Sequence, residues 1–177
     1  MDRPMRAGTH RPAGGERPEP FGIASTARIA GHPIHPMLVP FPIAVLIGAL
    51  LADLAFWTTR DPFWAVAGAW LVGAGVAGGA LAALAGLTDF LGSRRVRALH
   101  EAWIHFLGNA TAIGLAIRNL YLRTAATPSA AEAVLPRGRA LWAAMVAVLA
   151  VTGWLGWELV NRHGVGIAAD KGAEGSR

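Results

Sequence analysis

Residues 37–58 read MLVPFPIAVLIGALLADLAFWT, an apolar run with one ionisable residue, Asp53. As a single α-helix such a run spans the roughly 30 Å hydrocarbon core of a bilayer. Three more apolar runs follow, over residues 63–91, 98–122 and 140–161. Each is near or above the ~20 residues that a crossing needs. A soluble core does not account for four separate runs of this length. The sequence therefore predicts an all-α integral membrane protein, a four-helix transmembrane bundle with both termini on the same side. An even number of crossings also puts the N-terminal segment, the second loop and the C-terminus on one face. Those segments carry His32, His35, His100, His105 and His163, five of the six histidines.

Composition agrees with one membrane domain: 54% of the 177 residues are hydrophobic. The chain has no cysteine, which excludes disulfides, thiolate metal sites and a thiol nucleophile. The net charge of +5 comes mainly from arginine and is not clustered as a nucleic-acid surface would be, so no nucleic-acid partner is expected. Residues 1–30 are rich in Pro, Gly and Arg without a signal-length apolar stretch, and read as a disordered tail. The transmembrane domain is expected over 31–167, with a polar tail at 168–177. Arg3, Arg6, Arg11, Arg17, Arg28, Arg94, Arg95, Arg97, Arg162, Lys171 and Arg177 lie on the histidine face. Arg60, Arg123, Arg137 and Arg139 lie on the other. This imbalance predicts cytoplasmic termini in a bacterial-type inner membrane.

His32 and His35 each precede a proline, which favours extended or polyproline geometry. Three residues apart, they are expected to project to one side as a stiff pair. The second run is dense in small residues, including Gly75, Gly79 and Ala83, as close helix packing in lipid requires. It ends at Asp89. In the third run Glu101, His105 and Asn109 fall at i, i+4 and i+8 and share a face, with His105 the deepest histidine. Asp53 and Arg118 lie at matching depths near the opposite face. Because a lone charge at mid-membrane costs about 2.5–3.5 kcal/mol or more, they are expected to form a structural ion pair. The fourth run offers Trp142, Trp154 and Trp157 as interfacial anchors. Glu158 and His163-Gly164-Val165-Gly166 lie at its end.

These residues form a recognisable set: Gly31-His32-Pro33-Ile34-His35-Pro36 with Phe41-Pro42, then Gly86-Leu87-Thr88-Asp89-Phe90 and His105-x-x-x-Asn109. Gly153-Trp154-Leu155-Gly156, Glu158-Leu159-Val160 and His163-Gly164-Val165-Gly166 complete it. In order and spacing the set resembles the predicted membrane proteins called domain of unknown function 2231, over about residues 30–167. That resemblance implies four helices and carries no assigned activity. Fusion of family members to Rieske-type or cytochrome-type modules implies membrane redox work by association. The family usually has Gly-Gly-Glu where this chain has Gly156-Trp157-Glu158, which puts close packing at that point in doubt.

The expected centre is His32, His35, His105 and His163 with Asn109, and Asp89 and Glu158 nearby. Haem b would use two of the imidazoles as axial ligands, with Arg94 and Arg95 near its propionates. A transition metal would use imidazoles with Asp89 or Glu158. A cofactor-free scaffold would use the same residues as helix-joining hydrogen bonds. No phosphate loop or serine elbow is present, so a stand-alone enzyme is not expected. The predicted function is a membrane redox subunit binding haem b or a metal, with a cofactor-free partner-binding protein as the alternative. The bilayer is the expected environment, and a membrane redox partner or a second copy of the chain the expected partner.

Overall fold

The computed structural model describes residues 22–126, 129–134 and 139–167. The expected polar tail at 168–177 lies outside them, as do residues 1–21. The chain enters through a two-stranded antiparallel turn, β1 (Arg28–Ile29) with β2 (His32–Pro33). Ala30 and Gly31 close it at positive φ. A short helix α1 (Ile34–Leu38) leads into α2 (Pro40–Thr59). Pro40 and Pro42 fall within its first turn, where the missing N–H has no intrahelical acceptor to lose. Arg60 ends α2 in a left-handed conformation and Asp61 caps the next helix by accepting from the Phe63 N–H at 2.9 Å. Two residues thus reverse the chain into α3 (Pro62–Gly92).

Ser93 stops α3 and caps α4 (Arg94–Arg97), whose Val96 is buried. The polar helix α5 (His100–Tyr121) follows and widens into a π-helical turn over Leu122–Ala126. A single turn α6 (Ala130–Ala133) precedes α7 (Arg139–Asn161). Helix α3 packs on α2 and α5, and α5 packs on α7. At α2–α3 the contact is close because a Cβ on Gly75 would lie 2.6 Å from Leu46 Cδ2. This is the packing that the small residues of the second run predict.

The distribution of side chains is inverted relative to a water-soluble protein. Ala49, Ala52, Ala65, Ala82, Ala112 and Ala116 are buried, while Leu51, Trp70, Leu81, Leu84 and Trp154 are exposed. Three spans, Ile34–Thr59, Pro62–Gly92 and Ala140–Asn161, are long and apolar enough to cross a membrane. Only 28%, 22% and 17% of their most apolar windows are buried inside the protein. Such surface needs an apolar solvent, and lipid supplies it. Helix α5 is not among these three spans and is less apolar, since it carries His100, Glu101, His105, Asn109, Arg118 and Asn119.

The structure corrects two expectations about the chain entry. Residues 22–30 belong to the domain rather than to a disordered tail. Ile23 is buried with Phe90, Val96, Ala102 and Leu159, and forms a parallel bridge with Val165. In addition, His35 is helical, so the expected parallel pair of His32 and His35 is split. Pro36 sits in the first turn of α1, where it is tolerated, and this rotates His35 inward while His32 remains exposed on β2.

Candidate functional site at the histidine end

Two imidazoles meet where α1, α3, α5 and α7 converge. The His35 and His105 rings lie edge to face, with centroids 6.3 Å apart and planes at 88°. Each ring is held in the same way. His35 Nδ1 donates to the Ala82 carbonyl of α3 at 2.8 Å, and His105 Nδ1 donates to the Thr152 carbonyl of α7 at 2.9 Å. A carbonyl only accepts, so both Nδ1 atoms carry the proton, and Nε2 is the lone-pair nitrogen of each ring. Each ring also rests on a glycine. A Cβ on Gly86 would lie 2.8 Å from His35 Nδ1, and one on Gly156 would lie 3.0 Å from His105 Cε1. The Asn109 amide donates to His105 Nε2 at 3.1 Å and to the His105 carbonyl at 2.8 Å, as their i, i+4 spacing predicts.

The remaining residues of the expected centre do different work. Asp89 Oδ1 accepts from the Ser25 hydroxyl and from the Thr26 and Ala27 N–H groups at 2.7, 2.6 and 2.7 Å. It therefore clamps the N-terminal segment onto the end of α3. His163 Nε2 is 3.9 Å from Glu101 Oε1 and has no hydrogen-bond partner, so the contact is electrostatic at most. Glu158 lies 4.0 Å from Arg162, just past the end of α7. Among the described residues no three His, Asp or Glu side chains converge as metal ligands. The expected cluster of His32, His35, His105 and His163 with Asp89 and Glu158 is thus corrected to one close pair with separate satellites.

At the opposite end the ion pair forms with a different partner. Asp53 pairs with Arg123, not Arg118, and both side chains of the pair are buried. Arg123 Nε donates to Asn119 Oδ1 at 2.6 Å, and the Trp142 indole N–H donates to Asp53 Oδ2 at 2.5 Å. Asn119 and Arg123 share a face at i, i+4, whereas Arg118 is turned about 100° away and is exposed. Matching depth alone missed that rotation. Trp142 is correspondingly buried and is no interfacial anchor, while Trp154 and Trp157 are exposed. The Trp157 ring faces outward beside Trp154, 5.9 Å away, so it leaves the packing of His105 on Gly156 undisturbed.

A helical chain with lipid-compatible faces and polar side chains that join its helices is an integral membrane protein. Residues 31–169 match the family described as predicted membrane protein, DUF2231, and the chain belongs to that family. No curated protein and no solved structure matches it.

Proposed function

We propose that the protein is a four-span membrane redox subunit whose His35 and His105 would hold haem b. The observation that carries this reading is the matched anchoring of the two rings. Both Nδ1–H groups are tied to backbone carbonyls, which orients a ligating histidine and makes Nε2 the nitrogen that would meet iron. Two imidazoles suffice for haem, whereas a zinc, copper or non-haem iron ion takes three or four protein donors. The pair therefore favours haem over a metal ion. Binding requires the Asn109 amide to leave His105 Nε2, and the His105 carbonyl already offers it a second acceptor. Bound haem would supply one-electron transfer. The chain's own part is to fix the two rings from four helices.

The membrane arrangement belongs to the same proposal. Helix α5 is the fourth span, both termini face the cytoplasm of a bacterial-type inner membrane, and the electron partner is a membrane redox protein. A second reading, a cofactor-free protein in which the histidines only join helices, is favoured by the Asn109–His105 hydrogen bond. An absorption spectrum of detergent-purified protein, expressed with ample haem and then reduced with dithionite, separates the two. A Soret band that sharpens with α and β bands, and that His105→Ala removes without loss of membrane insertion, supports haem. A featureless visible region refutes it.

A further inference from the structure

The histidine end carries an unbalanced surface charge. Arg28 in β1 and Arg94 and Arg95 in α4 are exposed. Among the described residues none of the three has an ion-pair or hydrogen-bond partner. The described acids of this end are all engaged. Asp89 accepts from Ser25, Thr26 and Ala27, Glu101 lies 3.9 Å from His163, and Glu158 lies 4.0 Å from Arg162. The fold brings the three arginines to one edge. Thr26 packs on Gly92 at the end of α3, where a Cβ would clash with the threonine hydroxyl. Arg28 follows Thr26 by two residues, and Arg94 and Arg95 follow Gly92 by two and three. Helix α4 is fixed in place there. Ser93 caps it, Val96 is buried beneath it, and Arg97 donates to the Phe90 and Leu91 carbonyls that end α3.

The depth of this edge follows from its neighbours. The apolar span Pro62–Gly92 stops just before α4, and Leu91 and Ile29 are exposed beside the arginines. Trp103 is exposed as well, and its indole N–H donates to the Arg97 carbonyl at 3.0 Å. An aromatic ring with one apolar and one polar side marks the membrane–water boundary. The free guanidinium groups thus lie at headgroup level, with apolar side chains at the acyl boundary. A guanidinium pairs well with phosphate oxygens, and a headgroup that carries its own cation gains less from it. We propose that the edge formed by Arg28, Arg94 and Arg95 is a docking surface for phospholipids of net negative charge in the leaflet at the histidine end. It depends neither on the haem reading nor on which side of the membrane this end faces.

The test uses the full chain in a nonionic detergent, titrated with dioctanoylphosphatidylglycerol and with dioctanoylphosphatidylcholine, which has the same acyl chains and no net charge. Thermal unfolding reads binding, because a ligand of the folded state raises the midpoint as its concentration passes Kd. Arginines at the membrane surface contribute about fivefold each, so the anionic lipid should act at concentrations about tenfold or more below the zwitterionic one. High salt should close that gap. Arg94→Gln with Arg95→Gln should remove the preference and Arg28→Gln should reduce it, which gives two independent variants at exposed positions. Arg118→Gln, exposed at the opposite end, should leave it intact. Inorganic phosphate alone should not raise the midpoint, since it has no acyl chain. Equal action of the two lipids, a preference kept in the folded double variant, or equal stabilisation by phosphate would overturn the proposal.

Discussion

Replacing Arg123 by methionine removes the charge that compensates Asp53 while keeping most of the buried volume. Two hydrogen bonds disappear, one to Asp53 and one to Asn119. In membrane proteins interhelical hydrogen bonds average only about 0.6 kcal/mol in double-mutant cycles, and with the i, i+4 bond to Asn119 counted at no more than that, the bonds alone account for about 1.2 kcal/mol at most. The stranded carboxylate matters more. Asp53 keeps the Trp142 N–H but lies 5% exposed, where breaking a buried pair costs about 3–5 kcal/mol. A loss above about 2 kcal/mol therefore diagnoses the stranded charge rather than missing hydrogen bonds. The assay is reversible unfolding by SDS in mixed micelles, with Arg118→Met as the control. That control leaves unfolding unchanged because Arg118 is exposed. The double variant Asp53→Leu with Arg123→Met recovers most of the loss, since no charge remains buried. If Arg118→Met destabilises as much as Arg123→Met, or if Arg123→Met is neutral, the assignment of the pair is wrong.

Other perturbations probe the histidine end. Gly86→Ala drives a methyl into the His35 ring and breaks its bond to the Ala82 carbonyl, at an overpacking cost of about 1–3 kcal/mol in thermal unfolding. Gly153→Ala meets nothing within 4 Å and should instead be neutral or slightly stabilising. Asp89→Ala removes the acceptor shared by Ser25, Thr26 and Ala27, so amide exchange at Thr26 and Ala27 should accelerate by about tenfold or more. Unchanged exchange there would mean that the contact of Ile23 with Val165 and its neighbours holds the segment without the clamp.

The sequence by itself determined the membrane class, because run length against bilayer thickness is a one-dimensional property. It also determined the His105–Asn109 contact and the small-residue face of α3, because helical spacing alone places i, i+4 neighbours together. Partner choice across helices lay beyond it. Depth along an axis can be counted from sequence, but rotation about that axis is set by packing, so Asp53 found Arg123 rather than Arg118. One visible clue went unread, the i, i+4 spacing of Asn119 and Arg123. The same limit applied to Trp142, whose indole looked like an anchor until the helices turned it onto a carboxylate. It applied also to Gly86 and Gly156, whose role as rests for imidazoles needs a second helix to exist. Residues 22–30 have the composition of a tail, yet Asp89 and the Gly164–Gly166 turn supply the partners that order them. Local periodicity is written in one chain segment, and contacts between segments are decided only when the tertiary structure brings their faces together.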